Sequence, residues 1–546
     1  MSNLNSMSKD TFAFIYKYIK MANNCTFKSY NNLNKFIKIT LVSISLSIFL
    51  ISCITKSNKK YNANNEVVVL YPVVKGLEKV HGLSESTKFD IKVNGKDAFV
   101  YHTREIKDKH EHIKQLKSVS YKGVSYVNFA FEGNINLELS GLGENLSKWS
   151  ILPNDKKTTI NKENKTLKID INKPEKFVVN AIIDGEEHSL IVSAEAPEKN
   201  IPSKNDKGVL FLEPGVHKYG QAWDPYVNGI HTVYVSGGAV LEATIKSKNK
   251  NNVKLLGRGI ISQSFVTHAE ESSDDKKNRE EEWDADWLGV VFIDSKNIEI
   301  DGVAIMSSPS YQLEFANSED AVVNNVKLCG FGEHNNDGIH TYGRNIVVQN
   351  SFVASNDDRI CVTGLFDKEN GTDDIKWDGT NELTGTPVSN ITIKNMVFWG
   401  LDNNGGDIML TWNGADYAKD VSIENIVSLS STNKAFLAAR HGGSADIHNL
   451  KIKNVKLYHG NLFDLEIGGK KYQGAGGGKL RDVYLENIYL HSNIADIGKQ
   501  LIGDSKTSDI NGITLKNIST KEGLITNINQ LNLNANEFVS GLKVIK

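Results

Sequence analysis

Three aspartates carry the chemistry most readily proposed for this chain: Asp337, and the adjacent pair Asp357 and Asp358 twenty and twenty-one residues later. Carboxyl groups gathered in this number can divide labour, one keeping a proton to donate while the others hold a water molecule. Packed together they resist full ionisation, so one retains its proton near neutrality. That division requires the two stretches to lie side by side. An element that repeats at about this spacing would bring them together.

Such a repeat runs through the second half of the chain. From residue 297 a seven-residue pattern recurs: Asn or Asp, apolar, any, apolar, any, Asn, apolar. Its copies are NIEIDGV (297–303), NIVVQNS (345–351), NITIKNM (390–396), DVSIENI (420–426), NLKIKNV (449–455), DVYLENI (482–488) and GITLKNI (512–518), with AVVNNV (321–326) a degraded copy. Taking Asp301, Asn325, Asn350, Asn395, Asn425, Asn454, Asn487 and Asn517 as equivalent, the gaps are 24, 25, 45, 30, 29, 33 and 30 residues. A repeat of this length marks a stacked architecture. The alternation within each copy is that of a strand, and no amphipathic helix separates the copies. Both features predict a right-handed parallel β-helix whose coils stack about 4.8 Å apart. The repeated Asn would sit at one bend of every coil, tolerating left-handed backbone and bonding to its neighbours above and below.

The 546 residues imply more than one domain, and a net charge of −2 offers no electrostatic case for nucleic acid. Near the N-terminus, Lys35 and Lys38 precede an apolar stretch from Ile39 to Ile51. It is too short to span a bilayer but suits a signal peptide. Segments 89–101, 124–139 and 178–193 alternate like antiparallel strands, with turn signals at Asn94-Gly95 and Asp184-Gly185. The expected organisation is all-β. It comprises an N-terminal extension and signal peptide over 1–53, a tether over 54–63, a β-sandwich over 64–196, a linker over 197–207, and a β-helix over 208–546. Of four cysteines, Cys329 and Cys361 lie in apolar contexts and read as buried free thiols.

Ser52-Cys53 resembles the lipobox of bacterial lipoproteins, which implies a lipid anchor at Cys53 and a location in the cell envelope; the oligomeric state is open, a monomer being favoured. A sandwich followed by a β-helix resembles the layout of glycoside hydrolase family 49, the dextranases and isopullulanases. Phe211 to His217 and Thr232 to Ala239 resemble that family's first rungs. Gly257 to Ser262 is similar to a rung shared with the family 28 polygalacturonases, of the same clan. Asn336-Asp337-Gly338 and Asn356-Asp357-Asp358 stand in place of the clan's Asp-Gly and Asp-Asp motifs, and Ile408 to Trp412 looks like a tryptophan-bearing rung of family 49. The chain departs from both families at Arg359-Ile360-Cys361, and Arg440-His441-Gly442-Gly443 meets the polygalacturonase Gly-His-Gly pattern only in part.

Inverting hydrolysis of a glycosidic bond needs an acid beside the leaving oxygen and a base holding water about 6.5–9.5 Å away. Adjacent coils can supply that separation once side chains diverge. The resemblance implies that Asp357 is the acid and that Asp337 and Asp358 hold the water. Asp337 lies twelve residues past its Asn, but Asp357 and Asp358 lie seven and eight past theirs. A small insertion around residues 331–334, and a bend at Asp357-Asp358, are therefore expected. Equal offsets predict a second column of substrate contacts, Trp412, His441 and Lys470, while Arg440 and Arg359 would meet anionic groups on a polymer. No metal-ligand spacing, phosphate-cradling loop or cofactor motif stands out. The substrate favoured by the resemblance is an α-glucan such as dextran or pullulan. A galacturonan or charged algal glycan, a polysaccharide lyase using Lys470, Arg440 or His441 as base, and a glycan-binding β-helix without catalysis remain open.

Overall fold

The computed structural model describes residues 67–546 except 104–105, 108–119, 122, 155–157, 162–165, 267–287, 309, 331–335, 363–386, 401–404, 411–416, 431–434, 459–460, 469–475 and 494–497. The expectations for residues 1–66, Cys53 among them, and for Trp412 and Lys470 lie outside the described residues.

The first elements alternate buried and exposed residues, as in Phe89–Val93 and Leu167–Ile171, because one face of each strand meets a core and the other meets water. Asn94 and Gly95, like Asp184 and Gly185, take positive φ in the two-residue turns that the sequence predicts. Seven strands form one sheet, with Glu186–Glu195 at its middle between Glu175–Ile183 and Ser125–Glu132. Five form the other, with Ile135–Gly141 between Leu167–Ile171 and Phe89–Val93. Phe129, Phe177, Leu137 and Val192 belong to the core between them.

From Val209–Leu212 onward the strands pair almost wholly in parallel, each with the equivalent strand one coil on, in a sheet of 29 strands. This is the right-handed parallel β-helix. Its interior is a continuous apolar stack: Ile339, Ile360, Ile408, Leu437 and Phe463 lie in successive register and are buried.

The Asn ladder is double. Asn350, Asn395, Asn425, Asn454, Asn487 and Asn517 all take left-handed backbone, and each of the last five donates from its side-chain amide to the one before at 2.7–3.2 Å. Five residues earlier in each coil, Asn345 and Asn390 do the same, bonding to Asp320 and Asn345. The first rung differs from expectation. Asp301 pairs with Asn324, so the left-handed counterpart of Asn325 is Gly302, φ 84°. Glycine replaces Asn there without steric cost.

The sandwich packs along one flank of the helix, where Tyr126, Val178 and Ile191 meet Val240, Phe352 and Trp399. A buried ionic cluster crosses the seam. Glu195 pairs with Lys327 and with Arg258, each at 2.7 Å, and Arg258 also pairs with Asp301 at 2.8 Å.

Candidate active site

The strand Ile339–His340 pairs with Ile360–Cys361, which pairs with Ile408–Met409. Just before these strands, Gly338 donates its N–H to the Asp358 carbonyl at 2.8 Å, so Asp337 and Asp358 stand at one height on adjacent coils. One strand earlier on the same two coils, Cys329 pairs with Ala354, and after it Ile339 pairs with Ile360. Ten residues therefore separate the first members and six the second, 339 − 329 against 360 − 354. Four extra residues precede Asp337, which accounts for its longer offset; the stretch 331–334 itself lies outside the described residues.

The backbone bends at Asn356 and Asp357, between Phe352–Ala354 and Ile360–Cys361, so the adjacent aspartates need not face opposite ways. Asp357 takes the Asp358 N–H on Oδ1 at 3.0 Å, and Asp358 Oδ1 takes the Gly406 N–H at 2.6 Å. The three residues are 7, 8 and 1 % exposed at Asp337, Asp357 and Asp358, so charge-bearing oxygens work with little competing water. Asn336 stitches the two coils. Its Oδ1 accepts from the Asn356 N–H at 3.0 Å and its carbonyl accepts from Ser355 Oγ at 2.8 Å. Gly338 and Gly405 permit the approach: a Cβ would lie 2.2 Å from the Arg359 oxygen in the first case and 2.0 Å from the Asp357 carbonyl carbon in the second.

Around Asp337 the fold gathers residues that sequence reasoning missed. His340 Nε2 lies 3.0 Å from Asp337 Oδ2, and Cys361 donates from Sγ to the same oxygen at 3.4 Å. The His340 ring packs against both Tyr311 and Tyr342, at centroid distances of 4.0 and 4.9 Å. Glu314, one coil back, is fully buried, with Oε2 3.9 Å from His340 Nδ1. Burial pushes the Glu314 carboxyl well above the usual range, helped by Asp337, and burial holds His340 down to about 3. The imidazole is therefore neutral at ordinary pH, with Nε2–H donating to Asp337. The sequence offered one signal, His340 three residues after Asp337 and so outward-facing once the strand begins; Glu314 offered none.

Several expected contacts fall elsewhere. Arg359 is not in a position to meet substrate: it is fully buried, with Nε 3.7 Å from Asp407 Oδ1 and Nη1 donating to the Asp357 carbonyl at 3.4 Å. His441 is also fully buried. Its Nε2 is 2.9 Å from the Ala445 carbonyl, and it lies under Gly478, where a Cβ would come within 2.1 Å of the ring. Its partner on the next coil is Ile467, thirteen residues past Asn454, so the sixteen-residue offset that suggested a column through Lys470 fails at this coil. Arg440 keeps slight exposure but its charge is taken up by Asp464, at 2.6 Å.

No family model matches the chain. The curated exopolygalacturonase clone GBGE184 of Arabidopsis thaliana is 24 % identical over 183 residues, covering 30 % of this chain and 41 % of that protein. The chain thus spans about two-fifths of that relative's length. Among solved structures, Dex49A from Penicillium minioluteum superposes with a TM-score of 0.59 at 14 % identity, over 85 % of this chain and 95 % of that one. That likeness is one of fold. An exopolygalacturonase from Thermotoga maritima, 13 % identical, gives a TM-score of 0.39 over 62 % of this chain and 84 % of that one.

Proposed function

We propose that this protein hydrolyses a neutral polysaccharide with inversion at the anomeric carbon. Asp357 protonates the departing glycosidic oxygen while Asp337 and Asp358 orient the attacking water. The observation that carries this reading is the register that sets Asp337 and Asp358 at one height on neighbouring coils with Asp357 on the bend beside them. Adjacent coils lie about 4.8 Å apart, and carboxyl groups diverging from them reach the about 6.5–9.5 Å that leaves room for a water. The 3.0 Å contact from His340 Nε2 fixes the orientation of the Asp337 carboxyl group, as holding a water in place requires.

The substrate class follows from two arginines. A uronate or sulfated glycan calls for unpaired cations in the groove, but Arg359 is paired with Asp407 and Arg440 with Asp464. With both arginines engaged, neither is free to serve a uronate, and the α-glucan that the family resemblance favours is the substrate proposed. The same pairing, with the burial of His441, removes two of the three bases named for the lyase alternative; the third, Lys470, lies outside the described residues. Cys53 as a lipid anchor belongs to this reading, and partition of the mature protein into a detergent phase tests it.

A reducing-sugar screen over dextran, pullulan and polygalacturonate should give release from a neutral glucan, with the product anomer inverted by NMR. Asp357→Asn should lower that release by at least about 10³-fold, the scale of general acid catalysis plus charge stabilisation, with thermal unfolding nearly unchanged. Activity retained in Asp357→Asn, or a retained anomer, overturns the assignment.

A further inference from the structure

We propose that Asp337, His340 and Cys361 form a binding site for one thiophilic divalent cation of the zinc class. Three donors of different chemistry, a carboxylate oxygen, an imidazole nitrogen and a sulfur, lie within 4.8 Å of one another. Asp337 Oδ2 is 3.0 Å from His340 Nε2 and 3.4 Å from Cys361 Sγ. A tetrahedral ion with bonds of about 2.0–2.1 Å to oxygen and nitrogen and about 2.3 Å to sulfur sets such donors about 3.3–3.6 Å apart. The two separations from Asp337 need only a few tenths of an ångström of adjustment, and the His340–Cys361 separation, which is within 4.8 Å, closes as the two side chains turn toward the ion.

A second observation points the same way. Glu314 is sealed from solvent, and among the described residues neither of its carboxyl oxygens makes a hydrogen bond. Its Oε2 faces His340 Nδ1, the ring nitrogen opposite the proposed ligand atom, at 3.9 Å. A carboxyl oxygen facing the far nitrogen of a ligating histidine fixes the ring's orientation and tautomer at metal sites, and the carbonyl oxygen of a neutral carboxyl group can accept that N–H. Binding exchanges protons for the ion: Cys361 releases its thiol proton to solvent, and the imidazole proton moves from Nε2 to Nδ1, towards Glu314. Asp337 gives the ion its way in, its side chain being 10 % exposed while that of His340 is 1 % exposed. Spacings of three and twenty-one residues gave no hint of a ligand set, because the parallel register assembles it.

Occupation would withdraw Asp337 from holding water, so the ion acts as an inhibitor; that consequence alone rests on the hydrolase reading. Cobalt(II) is the probe, in the full chain with Cys25 and Cys53 replaced by serine so that Cys329 and Cys361 are the remaining thiols. One equivalent should produce thiolate-to-cobalt charge-transfer absorption that zinc displaces. The band should vanish in Cys361→Ser, bind at least tenfold more weakly in His340→Asn, and persist in Cys329→Ser. Absence of the band, or its persistence without Cys361, overturns the site. If Cys361→Ser does not fold, Asp337→Asn and His340→Asn read the same ligands. A cobalt band without sugar release from any glycan leaves the ion site standing and removes the hydrolase reading; sugar release with no cobalt band does the reverse.

Discussion

Among the described residues Arg359 is the largest side chain that the fold encloses fully, and it sits next to the aspartate pair. Burial pulls its guanidinium down from the usual range, and Asp407, then Asp358 and Asp357, pull it back. Breaking a buried pair costs more than the pair is worth, because the survivor keeps its desolvation penalty. Arg359→Met should therefore destabilise the protein by about 3–5 kcal/mol in urea unfolding, by stranding Asp407. The double variant Arg359→Met with Asp407→Leu should recover most of that loss. A single variant as stable as the parent would mean that the pair has no net role. Two residues after Asp357, an arginine read from sequence suggests a hand for an anionic substrate; its packing makes it part of the floor that supports the Asp357 carbonyl.

The strands and turns were the most legible level. Period-two alternation with Asn at fixed places marks each rung, because only left-handed bends with stackable amides allow coils to repeat. Even the four extra residues before Asp337 follow from counting along the ladder. What counting could not supply was the wall of the groove. Coils differ in turn length, so an offset measured from the Asn drifts by three residues between His441 and its partner Ile467. Contacts between turns were equally silent. The Gly405 turn rests against the Asp357–Asp358 peptide so closely that a Cβ would lie 2.0 Å from one carbonyl carbon and 2.2 Å from the next nitrogen. Gly405→Ala must open that contact by about an ångström or more. Misplacement on that scale can cost about 10²-fold in rate. The turn lies outside the apolar stack, so kcat should fall by about this factor while the thermal midpoint moves little. Unchanged kcat would show that the aspartate bend has slack.

At the scale of the whole molecule, sandwich and helix are joined by apolar packing and by a charged cluster that holds more cations than its buried carboxylate alone can satisfy. Lys327, Arg258 and Lys176 surround Glu195. Burial raises the Glu195 carboxyl, but the three cations outweigh burial and leave it lowered. Lys176 reaches across from the sandwich, its Nζ donating to Asn325 Oδ1 at 2.7 Å and to the Asn350 carbonyl at 2.8 Å, both on the Asn ladder. Burial, reinforced by Lys327 and Arg258, brings its ammonium down to about 7, against the pull of Glu195 and Asp301. Between pH 7 and the ordinary lysine value of about 10.4, the unfolded chain holds a proton that the folded protein has released. Stability contributed by this group therefore rises with pH across that window, and below pH 7 the penalty is full and constant. Denaturant midpoints of the parent should climb from pH 7 to pH 9 relative to those of Lys176→Met, which keeps the stem's packing and lacks the ammonium. The other titrating groups are common to both chains and drop out of the difference. Parallel curves would mean that Lys176 stays charged across the seam, and that Glu195 with the ladder carbonyls, rather than deprotonation, is what lets a third cation sit there.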